Sequence, residues 1–77
     1  MSDQDSQNLL NEAEKALKEV DALLESGNEL EALAVINRWI RKLDRYIVHA
    51  QGHQKLKALI LIKKFGQIQS ELEKSQQ

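Results

Sequence analysis

His49 and His53 stand four residues apart. On a continuous helix that spacing puts both imidazoles on one face, which is half of a zinc site. Gly52 falls between them, and neither a cysteine nor a third histidine completes the set. The spacing therefore predicts two solvent-exposed histidines beside a turn, and no metal. Asp44 is the one acid between Glu31 and Glu71. Its carboxylate is either a partner contact or, more simply, one end of a helical ion pair with Arg41 three residues back. No Ser/His/Asp or Cys/His grouping, glycine-rich phosphate loop or pair of buried-looking carboxylates accompanies these residues. The expectation is a non-enzymatic chain with no catalytic residue and no cofactor.

The elements that carry these side chains read as helices. Ser6 or Asp5 offers a side-chain oxygen to cap a first helix over about residues 6–26. Leu10, Ala13, Leu17, Val20 and Leu24 give it an apolar stripe in alternating steps of three and four. Gly27 suits the left-handed position after a helix end. Asn28, with Glu31 three residues on, resembles a capping box opening a second helix over about 29–50. Its stripe is Leu33, Ile36, Ile40, Leu43 and Ile47. Gly52 disfavours a continuous rod and predicts a turn.

A third helix is expected over about 54–74, with Ala58, Leu61, Phe65, Ile68 and Leu72 as its stripe. The run "ALILI", residues 58–62, is apolar enough for a buried strand. With no second strand to pair with, its backbone groups would go unsatisfied, so helix is the reading. Gly66, inside this helix, predicts close approach of a neighbour beside Phe65. Two short connections between helices of similar length imply an all-α, antiparallel up-down-up three-helix bundle. Residues 1–5 and 75–77 are expected to fray.

Totals set the limits. A chain of 77 residues is one small domain. At this size only about 60% of the unfolded surface is buried, so the core is marginal. There is no cysteine and no proline, 30% of residues are charged and 42% apolar. That composition excludes disulfides and thiolate metal sites and fits a helical protein of a reducing compartment. No apolar run approaches the roughly 18 residues that span a bilayer, and "MSDQDSQN" is unlike a secretory signal. A cytoplasmic protein, or a soluble fragment of a longer one, is expected. Residues 1–31 hold nine acids against two lysines, and residues 32–65 hold eight bases against Asp44. An acidic first helix beside basic second and third helices neutralises most of this. Nucleic acid is an unfavoured partner, because its footprint needs more net positive charge or a recognisable module.

Apolar residues remain after the three stripes are assigned. On the second helix Ala32, Val35, Trp39 and Tyr46 lie on a flank. On the third, Leu56, Leu59, Ile60 and Ile62 widen the face. In a three-helix bundle each helix touches two others, so some widening is expected. It suits the second helix better than the third, where Leu59 to Ile62 cover almost a full turn. A contiguous exposed apolar patch marks an interface. The expected site is a face of the second and third helices formed by Val35, Trp39, Tyr46, Leu59, Ile60 and Ile62. Trp39 is the natural anchor. Arg38, Arg41, Lys42 and Arg45 flank it, favouring a helical or acidic peptide, and Asp44 joins the site as a partner-binding carboxylate. Self-association through the same face is the alternative.

Two families are similar. "LLESGNELEALAVINRWIRKL", residues 23–43, resembles the helix-turn-helix of MIT and TPR-type modules, through Gly27, Asn28, Glu31, Ala32 and Leu33. Val35, Ile36 and Trp39 fill the places of that second helix's usual tyrosine and alanine. The resemblance implies a three-helix adaptor that binds short peptides in interhelical grooves. "LKEVDALLESG", "KLDRYI" and "IKKFGQIQSELEK" are similar in order and spacing to the helices of BAG domains. That resemblance implies a co-chaperone, with Asp44 at the position of a chaperone-contacting aspartate. Lys55 and Lys57 loosely match the basic third helix.

Overall fold

The computed structural model describes residues 3–75. Three helices account for nearly all of them: α1 (Asp3–Glu25), α2 (Glu29–Ile47) and α3 (Gly52–Ser75). They pack against one another as an up-down-up bundle, with principal extents of 40 × 19 × 15 Å. No strand forms among the described residues.

Helix α1 begins at Asp3, three residues before the expected start. Asp5, in its first turn, suits the positive end of the helix dipole. Ser6 therefore lies inside the helix and is buried rather than acting as its cap. Of the residues expected to fray, 3–5 and 75 are helical, and 1, 2, 76 and 77 lie outside the described residues.

The α1–α2 turn is closed by backbone. Gly27 adopts φ 83°. Its N–H donates to the Leu24 carbonyl at 3.1 Å, and the Asn28 N–H donates to the Leu23 carbonyl at 2.8 Å. This pairing is the Schellman closure of a helix C-terminus. The capping box does not form. The Asn28 side chain makes no cap hydrogen bond and instead donates to Ser26 Oγ at 3.2 Å. The Asn28 carbonyl still accepts from the Ala32 N–H at 3.1 Å, which starts α2.

Helix α2 ends at Ile47, three residues short of Ala50. Extended by the same spacing, its buried face would next reach Ala50 and His53, which offer no large apolar group to bury. The N–H groups of His49 and Ala50 both donate to the Tyr46 carbonyl, at 3.1 and 3.0 Å. Gly52, at φ 63°, begins α3 two residues before the expected Gln54.

The core takes Leu10, Ala13, Ala16 and Val20 from α1, and Ala58, Leu61, Phe65 and Leu72 from α3. From α2 it takes Ala32, Ile36, Trp39, Leu43 and Tyr46. On α3 this is the expected stripe, with Ile68 half-buried at its edge. On α2 the stripe is rotated. Leu33, Ile40 and Ile47 are only half-buried, while Trp39 and Tyr46 point inward. Each large side chain so buried stabilises the fold by about 1.5–3 kcal/mol.

Polar contacts across the helices are sparse. Lys57 Nζ of α3 lies 3.1 Å from Glu14 Oε1 of α1. Gln69 of α3 donates to Asn37 of α2. Gly66 does not admit a close neighbour: a Cβ built there meets nothing within 4 Å. Its place in α3 is open space rather than the tight contact expected.

Candidate functional site

The nine residues expected to form one face part company. Trp39 and Tyr46 are buried, with 8% and 6% of their surface exposed, so neither is available as an exposed anchor. Val35 and Ile62 are half-buried against the core. Arg38, Asp44 and Arg45 are exposed on α2. Leu59 and Ile60 are exposed on α3, by 42% and 47%. The ion pair expected between Arg41 and Asp44 is not formed. Both side chains are exposed, and the pair within 4 Å among the described residues is Lys57 with Glu14.

Two grooves separate these residues further. The larger, about 1140 Å³, lies at the foot of the bundle, where the start of α1 meets the α2–α3 turn. Arg45, Tyr46 and Lys42 of α2 line it with Ser6 and Leu9 of α1, Val48 and His49 of the turn, and Gln54 of α3. The Tyr46 hydroxyl donates to Gln54 Oε1 at 3.5 Å, the outer limit of a hydrogen bond. Lys42 Nζ stands 4.8 Å from the centre of the Trp39 ring. That cation–π contact lies over the face of the indole. The smaller groove, about 430 Å³, runs between α1 and α3. Ile60, Leu61, Lys57 and Lys64 line one side, and Glu14, Leu17, Lys18 and Asp21 the other. Ile60 therefore borders α1, and the residues expected on α2 do not share its surface.

What remains together is a stripe on α3. Leu56, Leu59 and Ile60 are 57%, 42% and 47% exposed. Steps of three and one place them on one side of the helix, opposite the buried Ala58, Leu61, Phe65 and Leu72. Lys63 continues this stripe, seven residues after Leu56. Lys55 lies one turn before Leu59, and Lys64 one turn after Ile60. All three lysines are exposed. Helix α3 is thus apolar on two opposite sides over residues 56–62, and only one is covered. Leu56, absent from the expected site, belongs to it; its signal is the spacing to Leu59 and Ile60. Two further exposed apolar side chains, Leu30 and Val48, stand apart from the stripe at the start of α2 and in the α2–α3 turn.

His49 lines the groove at the foot, and His53 is exposed in the first turn of α3. No three His, Cys, Asp or Glu side chains gather as a metal site among the described residues. No helix among them is long and apolar enough to cross a membrane. Comparison with known protein families, curated proteins and solved structures returns no match for this chain.

Proposed function

We propose that this chain is a protein-interaction module whose contact surface is the outward side of α3. The observation that carries this reading is the exposure of Leu56, Leu59 and Ile60 on the side of α3 that the bundle leaves open. A fully buried Leu or Ile side chain contributes about 1.5–3 kcal/mol. Three such side chains in one stripe, each about half exposed, forgo roughly half of that in the isolated chain and recover it against a partner. Contiguous apolar patches of this kind mark contact sites on small proteins. Trp39 supports the surface from inside by fixing α2 against the core, and does not itself touch the partner.

The test is a photoreactive amino acid placed at position 59 in the cells that make the chain, with position 41 on α2 as the control. Both positions are exposed. The expected result is a discrete protein adduct from position 59 and none from position 41. Identical adduct patterns from the two positions, or none from either, overturns the reading.

A further inference from the structure

The charge around the α3 stripe identifies its occupant. From Arg45 to Ser70 the chain contains no Asp or Glu. Lys57 is already paired with Glu14 across the bundle. Lys55, Lys63 and Lys64 are exposed, flank or continue the stripe, and have no acid on their own helix before Glu71. We infer that the outward side of α3 binds an amphipathic helix whose apolar stripe is bordered by Asp or Glu. This rests on the reading of that side as a contact surface and names the partner's chemistry.

Two other occupants fit less well. A second copy of the chain, set α3 against α3, matches apolar side chains but brings six lysines into one contact, with no acid from residues 45–70 of either copy to offset them. Like charges across an interface oppose association. An anionic lipid surface would meet the same lysines. It would also meet α1, whose Glu14 and Asp21 border the α1–α3 groove beside Ile60 and Lys64. Residues 1–31 carry nine acids against two lysines, which anionic headgroups repel. A single helix along α3 covers far less of α1 than a bilayer does, and meets it only at the groove beside Ile60, where Lys57 already offsets Glu14. An apolar strip fringed by acids then meets an apolar strip fringed by lysines.

The experiment uses the whole chain and two synthetic peptides of about 20 residues, long enough to follow α3 for most of its length. Both carry Leu at every third and fourth position; one has Glu beside the stripe and the other Lys. Vesicles of mixed phosphatidylglycerol and phosphatidylcholine form a third arm. Binding is read by fluorescence anisotropy and co-sedimentation at low and high salt, with oligomeric state followed by sedimentation equilibrium.

The expected result is binding of the Glu peptide about tenfold tighter than the Lys peptide at low salt, the scale of two or three exposed ion pairs. High salt narrows the ratio. Lys63→Glu with Lys64→Glu reverses the ranking. Leu59→Ser with Ile60→Ser abolishes binding while the helical circular dichroism is kept. Equal binding of the two peptides, preference for the Lys peptide, tighter binding to vesicles, or a dimer formed by the free chain each overturns the inference. Binding of neither peptide also overturns it. In that case a protein adduct from position 59 leaves the contact-surface reading standing, and the absence of an adduct removes both.

Discussion

Helices α2 and α3 carry similar numbers of large apolar side chains and place them differently. Helix α2 gathers its large apolar side chains, apart from the exposed Leu30 in its first turn, around the axis of the bundle. Trp39 and Tyr46 go to the centre, and Leu33, Val35, Ile40 and Ile47 pack on their shoulders. Its far side is charged, with Arg38, Arg41 and Arg45 in water. Helix α3 also buries one stripe, but it repeats apolar residues on the opposite side, where Leu56, Leu59 and Ile60 stay wet. A helix with one apolar side is satisfied by a three-helix bundle. A helix with two has one more neighbour to find. The width of an apolar face therefore says little about function until the direction of the core is known.

The largest effects separate the two helices directly. Trp39→Ala removes the biggest side chain of the α2 core and leaves a cavity, costing about 3–5 kcal/mol. A domain of this size holds a stability near the lower end of the usual 5–15 kcal/mol. The variant therefore keeps only about 0–2 kcal/mol, is up to about half unfolded at room temperature, and melts tens of degrees early. Ile60→Ser removes a comparably apolar but half-exposed group and costs about 1 kcal/mol. Urea unfolding followed by far-ultraviolet circular dichroism measures both. Equal losses in the two variants would mean that Ile60 is as much a core residue as Trp39, and the two-sided description of α3 would fall.

The difference between the helices also explains what was legible beforehand. The buried stripe of α3 could be read directly, because Ala58, Leu61, Phe65 and Leu72 are spaced by three, four and seven. On α2 two neighbouring stripes fit the same period. One runs through Leu33, Ile36, Ile40 and Leu43, the other through Ala32, Ile36, Trp39 and Leu43. Spacing shows that an apolar face exists, but not which edge of a wide face turns inward. That choice belongs to the packing of the whole bundle, which buries Trp39 together with Ala32 of α2 and Ala13 and Ala16 of α1 in one core. Because the choice went to the Trp39 edge, the expected α2–α3 face lost its aromatic half. The surface that remained, Leu56 with Leu59 and Ile60, was visible as surplus on α3 but not as the far side of it. Asn28 was misread for a local reason. The Schellman closure of α1 takes the Asn28 N–H that Glu31 would accept in a capping box, and the Asn28 amide turns to Ser26 Oγ instead.

Two glycines sharpen the contrast between positions that require glycine and positions that merely contain it. Gly27 holds φ 83°. An alanine there must enter the left-handed region, so Gly27→Ala costs about 1 kcal/mol or more. Gly66 sits inside α3 with no positive φ and nothing within 4 Å of a built Cβ. Gly66→Ala gains helix propensity and stabilises by about 0.5–1 kcal/mol. The same urea titrations read both, with opposite signs expected. A destabilised Gly66→Ala would show that something packs closely there after all.

The smallest effect tests how α3 is held on its α1 side. Lys57 and Glu14 meet at 3.1 Å, but their side chains remain 43% and 45% exposed. Water and salt screen such a pair, and holding two long side chains in one geometry costs entropy, so its net value is about 0.2–1 kcal/mol. Glu14→Gln should therefore lower stability by no more than about 0.5 kcal/mol, and the difference from wild type should vanish in about 1 M salt, where the screening length is near 3 Å. The same substitution frees Lys57 beside Ile60 and Lys64, adding a fourth unpaired cation to the edge of the stripe. Stability falls slightly while affinity for the Glu-flanked peptide rises at low salt. A structural ion pair alone predicts the first change without the second, so measuring both on one variant distinguishes a surface built for an acidic helix from a bundle that merely tolerates its lysines.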